Sequence, residues 1–272
     1  MDGINQRSVL DAKPRWSSCA IPDAVHVWLI PVQYGREHDR HCLSWLDADE
    51  LERAQRFHFA RDRALFVESH LWLRRLLAQT SERSPESLRF QRLPGQKPRL
   101  VQAADAVPIE FSLSHTHRYA AVAVARQCPI GVDVERIRPI EQEEIGRLVW
   151  HPVERAWMQT LAPMERRVAF YRLWTAKEAY IKARGSGLST PLDRLCVHVV
   201  DACRHVIVDP ARRAPIHDVR HCSLVVNEGS PAMAQYMVSV TMLRHGASLV
   251  VHQVPAGTRA SDPLGGISPQ HM

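Results

Sequence analysis

Three carboxylates and one lysine carry the chemistry legible in this chain. In Gly131-Val132-Asp133-Val134-Glu135 strand geometry alternates the faces, so Asp133 and Glu135 point one way and Val132 and Val134 enter the core. Two carboxylates on one face repel unless a positive group lies between them. Exposed acids neighbouring Arg136 and Arg138 are the ordinary alternative. Glu178 lies on the same helical stripe as Trp174 and Ile181, where an unpaired buried charge costs several kcal/mol. A rim ion pair with Lys182, worth ~0.2–0.5 kcal/mol, is the plainer reading of that helix alone. Taken together, Asp133, Glu135 and Glu178 are three hard oxygen donors. They suit Mg²⁺, which prefers a few carboxylates, waters and phosphate oxygens. Lys182, a turn beyond Glu178, is placed to meet a phosphate oxygen at the same ion.

These residues must be held by a strand and a long helix. Pro163 can open that helix and Gly185 can close it, with Phe170, Trp174 and Ile181 on one stripe and Leu173, Ala176 and Tyr180 on the next. Upstream, Ala24 to Ile30 reads as a strand buried on both faces, and Asp47 or Asp49 caps a short helix. A longer helix is expected from about Asp62 to Gln79, with Leu65, Phe66, Leu73, Leu76 and Leu77 as its core stripe. Ile109 to Leu113, Tyr119 to Ala125 and Ile130 to Glu135 read as three adjacent antiparallel strands. Short apolar runs return at 195–200, 205–208, 222–226, 235–243 and 248–254. The fold class expected is α+β in two halves: residues 1–128, with an irregular leader over 1–23, and residues 129–256, carrying the carboxylates. Residues 257–272 are expected to be a disordered tail.

The chain has 272 residues, 45% hydrophobic and 24% charged, enough for a substantial core. No apolar run is long enough to span a bilayer. The first residues lack a signal pattern, so a cytoplasmic location and no membrane partner are expected. The six cysteines are scattered without a C-x-x-C pair, which argues against a zinc ribbon or disulfide framework. A net charge of +6 favours anionic partners, but no nucleic-acid motif is present, so no nucleic-acid partner is expected. His115 and His117 lack a third zinc ligand at a clear spacing, and no Gly-x-Ser-x-Gly elbow of a serine hydrolase occurs.

The pairing of residues 131–135 with Trp-Thr-Ala-Lys-Glu-Ala-Tyr-Ile-Lys at 174–182 resembles the signature of the 4′-phosphopantetheinyl transferases. Gly-Gln-Lys-Pro at 95–98 and Phe-Ser-Leu-Ser-His at 111–115 are similar to two further motifs of the larger, surfactin-synthetase-activating type. The resemblance covers about residues 24 to 200. It implies a pseudo-twofold α+β fold of two similar subdomains with antiparallel sheets and packed helices, and coenzyme A in the cleft between them. It implies Asp133, Glu135 and Glu178 as Mg²⁺ ligands and Lys182 at the coenzyme A pyrophosphate, with Lys177 as a supporting charge. It also implies Ser114 and His115 at a coenzyme A phosphate, Lys97 near the 3′-phosphate and adenine, and Glu154 as general base. The activity implied is transfer of 4′-phosphopantetheine to a serine of an acyl or peptidyl carrier protein, by a chain expected to be a monomer. One departure stands out: many relatives carry a basic residue at about the place of Leu65, and Arg61 and Arg63, with Arg53 and Arg56 further off, are candidates that do not sit in that register. Two other readings stay open, another Mg²⁺-dependent nucleotide phosphotransferase and a non-catalytic coenzyme A-binding module.

Overall fold

The computed structural model describes residues 24–35, 40–139, 142–185, 187, 190–201, 204–209, 220–227, 235–244, 246–263 and 269–271. The expected leader over 1–23 lies outside them. The order is β1 (Ala24–Pro31), α1 (Arg40–Leu43), α2 (Ala48–Gln55), α3 (Ala60–Ser81), β2 (Phe90–Gln91), β3 (Arg99–Leu100), β4 (Ile109–Thr116), β5 (Tyr119–Arg126) and β6 (Ile130–Ile137). Then come α4 (Gln142–Val149), α5 (Pro152–Thr160), α6 (Pro163–Arg184), β7 (Cys196–Val199), β8 (Arg204–Val208), β9 (Arg220–Asn227), β10 (Gln235–Met242), β11 (Ser248–Gln253) and β12 (Pro269–His271).

Two five-stranded sheets form, ordered β12-β11-β1-β5-β4 and β6-β10-β9-β8-β7, with a small β2-β3 ribbon beside them. Their facing sides meet in one core, where Val25, Val27, Leu29, Ala121 and Ala123 of the first sheet pack with Val132, Val134, Val238 and Val240 of the second. Helix α3 covers the other side of the first sheet through Phe66, Trp72, Leu73 and Leu76, which meet Trp28 and Ile30. Helix α6 covers the second through Leu173, Ala176 and Tyr180, which meet Val197, Ile207 and Met237. Strand β1 is thus buried on both faces, as its unbroken apolar run requires. Each half pairs a 22-residue helix with its own sheet, an α+β arrangement.

Three expectations are corrected. The runs at 109–116, 119–126 and 130–137 are strands, but not one meander. β5 pairs with β4 and β1, whereas β6 pairs with β10 in the second sheet. β4 and β6 are joined instead by side chains, the Val132 and Val134 amides donating to Ser112 Oγ (3.1 Å) and Ser114 Oγ (3.3 Å). The division at residue 128 is not kept by the chain's later part, because β11 returns to run parallel with β1. And residues 257–272 are not wholly irregular, since β12 pairs antiparallel with β11.

Candidate functional site

The junction between the sheets is where the carboxylates gather. Gly131 permits it: a Cβ there would sit 1.9 Å from the Ala179 carbonyl oxygen, so only a glycine lets α6 lie this close to β6. Thr175 fixes the helix sideways, its hydroxyl 2.6 Å from Ser239 Oγ on β10. Lys182 then reaches β6, its Nζ donating to Asp133 Oδ1 at 2.7 Å and to the Val132 carbonyl at 3.2 Å. Ser114 donates to the same Asp133 oxygen at 2.8 Å, and Thr116 to Glu135 Oε2 at 3.2 Å.

Asp133 is 4% exposed, and its second oxygen, Oδ2, is buried without a hydrogen-bond partner. A buried bare carboxylate oxygen is costly unless a cation or donor meets it. Burial, and then the charge of Asp133, push the Glu135 carboxyl up to about 7. The same two causes, in the same order, raise Glu178. Among the described residues, no three His, Cys, Asp or Glu side chains converge closely enough to hold a metal as they stand. The donor set and the orphaned oxygen nevertheless fit a hard divalent cation, since three oxygen donors sharing excess negative charge are what such an ion satisfies.

Beside these residues opens a cleft of about 620 Å³, whose walls include Arg53, Phe66, His70, Phe90, Arg92, Lys97, Phe111, Ser114, His115, Glu178 and Lys182. It is bridged at two points. Lys97 Nζ donates to the Ile130 carbonyl at 2.7 Å. Gly187, at φ +57°, passes so near the Gly95 carbonyl that a Cβ would lie 2.0 Å from its oxygen. Burial pulls the Lys97 ammonium down to about 8. Burial, and then the charge of Lys182, lower His115.

Of the residues singled out in the sequence, Lys97, Ser114, His115, Glu178, Lys182 and Arg53 line the cleft, with Asp133 bonded directly to two of them. Three do not. Arg61 is exposed, its guanidinium against Asp62 and over the Phe59 ring. Glu154 and Lys177 form a buried pair at 2.6 Å, both side chains 1% exposed, away from the cleft walls. Glu154 Oε2 also accepts from the His151 amide at 2.9 Å, closing the start of α5, and Oε1 accepts from the Val197 amide at 2.7 Å. Lys177 donates further to the Val149 and Leu192 carbonyls. Glu154 thus accepts three hydrogen bonds, and neither it nor Lys177 stands on the cleft wall, which sets both apart from the base and cofactor-contact places expected of them.

Two cleft residues escaped sequence reasoning, His70 and Arg92. Arg92 is held between Asp47, Asp49 and Glu50 at 3.3–3.4 Å. Glu50 and Asp47 in turn bind the buried Arg74 at 2.7 and 2.9 Å. Glu50 following Asp47 at the capping-box spacing was the one available signal. Leu65 is core, 6% exposed. The cations near it at the cleft are Arg53, over the Phe66 ring at 5.2 Å, and Arg92, over Phe90 at 5.6 Å.

Comparison with known proteins adds a family. The profile of the 4′-phosphopantetheinyl transferase superfamily matches residues 129–235, and that of a 4′-phosphopantetheinyl transferase N-terminal region matches 35–127. Over 170 residues the chain is 32% identical to the 4′-phosphopantetheinyl transferase HetI of Nostoc sp., spanning 62% of this chain and 72% of that protein. It is 28% identical over 164 residues to the 4′-phosphopantetheinyl transferase Sfp of Bacillus subtilis, spanning 60% and 71%. Among solved structures, a holo-(acyl-carrier-protein) synthase from Bacillus anthracis in complex with CoA aligns with 43% of this chain and 96% of its own, at 19% identity and a TM-score of 0.34.

Proposed function

The chain belongs to the 4′-phosphopantetheinyl transferase superfamily, and from that premise we propose that it transfers 4′-phosphopantetheine from coenzyme A to a serine of an acyl or peptidyl carrier protein. The serine Oγ gives its proton to water and bonds to the phosphorus on the pantetheine side. The bond from that phosphorus to the bridging oxygen breaks, and 3′,5′-ADP leaves.

The observation that carries the proposal is the join of Asp133, Lys182 and Ser114 at the edge of a cleft lined by cations. Asp133, Glu135 and Glu178 would hold Mg²⁺, which when bound neutralises pyrophosphate charge and orients its oxygens. Lys182 offers further positive charge where charge builds on the leaving phosphate. His115 would meet a phosphate oxygen, Ser114 would hold the Asp133 carboxylate beside it through its hydroxyl, and Lys97 and Arg53 supply cations along the cleft. No helix among the described residues is long and apolar enough to cross a membrane. The cleft takes both walls from a single chain, which supports a monomer.

The test is the intact mass of apo-carrier proteins incubated with coenzyme A. With Mg²⁺ the carrier should gain one phosphopantetheine. EDTA should abolish the gain, and Asp133→Ala should slow it by orders of magnitude with little loss of fold. An unchanged carrier mass across a broad carrier panel would overturn the transfer. Full activity of Asp133→Ala in Mg²⁺ would overturn the metal assignment alone.

A further inference from the structure

His70 stands on α3 at the wall of the cleft, 8% exposed. Its Nδ1 lies 2.9 Å from the Phe66 carbonyl oxygen, one turn back along the helix. A carbonyl only accepts, so Nδ1 carries the ring proton and Nε2 is left as an acceptor. Stacking fixes the ring, with centroids of His70 and Phe66 3.9 Å apart and planes 28° from parallel. Burial first, and then the charges of His115, Arg53 and Arg92, pull the imidazole down to about 3, so it stays neutral near pH 7.

Most charged groups of this cleft are donors. Arg53, Arg92, Lys97 and Lys182 line it with donors. Its buried oxygens are engaged elsewhere: Glu50 Oε2 takes Arg74 and the Asp47 amide, Ser112 Oγ takes the Val132 amide, and Ser114 Oγ takes the Val134 amide. Around His70 the wall is apolar and largely aromatic, made by Phe66, Leu73, Phe90 and Phe111. Such faces suit a flat heteroaromatic ring. A ring laid there presents its edge to His70, and at the 6-position only a group bearing N–H can bond to Nε2. A carbonyl edge would set two lone pairs against each other.

We infer that His70 Nε2 accepts a hydrogen bond from the exocyclic amine of the nucleotide's purine base, and so selects a 6-aminopurine over purines that carry hydrogen or oxygen at that position. The inference rests on the cleft being the coenzyme A site. His70 is then a specificity-determining residue, remote from the carboxylates and without a part in bond breaking.

Three ligands and two variants test it. Binding of 3′,5′-ADP is compared with the 3′,5′-bisphosphates of purine riboside, which lacks the amine, and of inosine, which has oxygen there. A neutral hydrogen bond is worth about 0.5–1.5 kcal/mol, so the native chain should prefer 3′,5′-ADP over the purine riboside form by about 2- to 12-fold. The inosine form, with a 6-oxygen in place of the amine, should likewise bind more weakly than 3′,5′-ADP. His70→Asn keeps an amide near Nδ1 to serve the Phe66 carbonyl but has nothing at Nε2, and its preference should fall to about 1-fold. His70→Gln sets its amide oxygen near the Nε2 position and should keep the preference. A packing role alone would reverse that order, because Gln abandons the Phe66 carbonyl. Native-like discrimination in His70→Asn, or equal binding of all three ligands by the native chain, overturns the assignment. Failure of the native chain both to bind 3′,5′-ADP and to alter carrier mass would instead bring down the coenzyme A reading, and the assignment with it.

Discussion

Glu154 shows how far a side chain's surroundings decide its role. At the start of α5 it accepts from the His151 and Val197 amides and from Lys177 Nζ. Removing one partner of a buried pair typically costs about 3–5 kcal/mol, because the other charge is left without compensation. Glu154→Gln should therefore lower the unfolding free energy on that scale in urea titrations, while kcat of the folded fraction changes little. A variant of native stability whose kcat fell ~10²- to 10⁴-fold would restore the general base. Asp133 is the contrasting case, with one oxygen bonded and the other bare. Here the sequence was a good guide: strand alternation alone puts Asp133 opposite to Val132 and Val134. It could not show Glu154 inward, since His151 is an uncommon cap and Lys177 is known as its partner only in three dimensions. His70 was hidden for a related reason, standing in an apolar helix where nothing local marks which ring nitrogen faces out.

Among the elements, β6 and α6 matter most, and their contact depends on one missing side chain. With a Cβ at Gly131 due 1.9 Å from the Ala179 oxygen, Gly131→Ala must push α6 away and carry Lys182 and Glu178 with it. Transfer activity should drop by at least ten-fold and the melting temperature should fall. A fully active, equally stable Gly131→Ala chain would contradict the packing described. The elements themselves were largely legible. α6 runs from Pro163 to Arg184 with Gly185 at φ 67° closing it, as its punctuation requires. Strand partners were not legible. Three runs close in sequence look like a meander, but β6 leaves for β10 because pairing is chosen by tertiary burial. The Ser112 and Ser114 hydroxyls that bridge β4 to β6 give no pattern along the chain.

At the scale of the whole molecule, stability in acid should follow its buried imidazoles. Burial pulls His70 down to about 3 and His205 to about 4, from an ordinary value of 6.5. A depressed histidine binds fewer protons in the folded state. Its contribution is complete above about 6.5 and is lost as pH falls through 4 and 3. Glu135, raised to about 7, takes up its proton first in the folded state and works the other way over that range. The imidazole contribution is therefore read as a difference: as pH falls from about 6.5 toward 4, His205→Gln should lose less stability than the native chain. An unchanged slope would mean that His205 titrates alike in both states.

The return of β11 to β1 sets a timetable as well as a topology. Ala24 lies beside Ser248 and Leu29 beside Gln253, so the first sheet gains an inner neighbour only from a segment made late. On the ribosome β1 would wait with one flank open while most of the chain is synthesised, and so distant a closure is slow to form. During that interval an apolar strand with an unpaired edge is exposed to other chains. A nascent chain stalled before Ser248 should recruit chaperones strongly, and release them once β11 has emerged and docked.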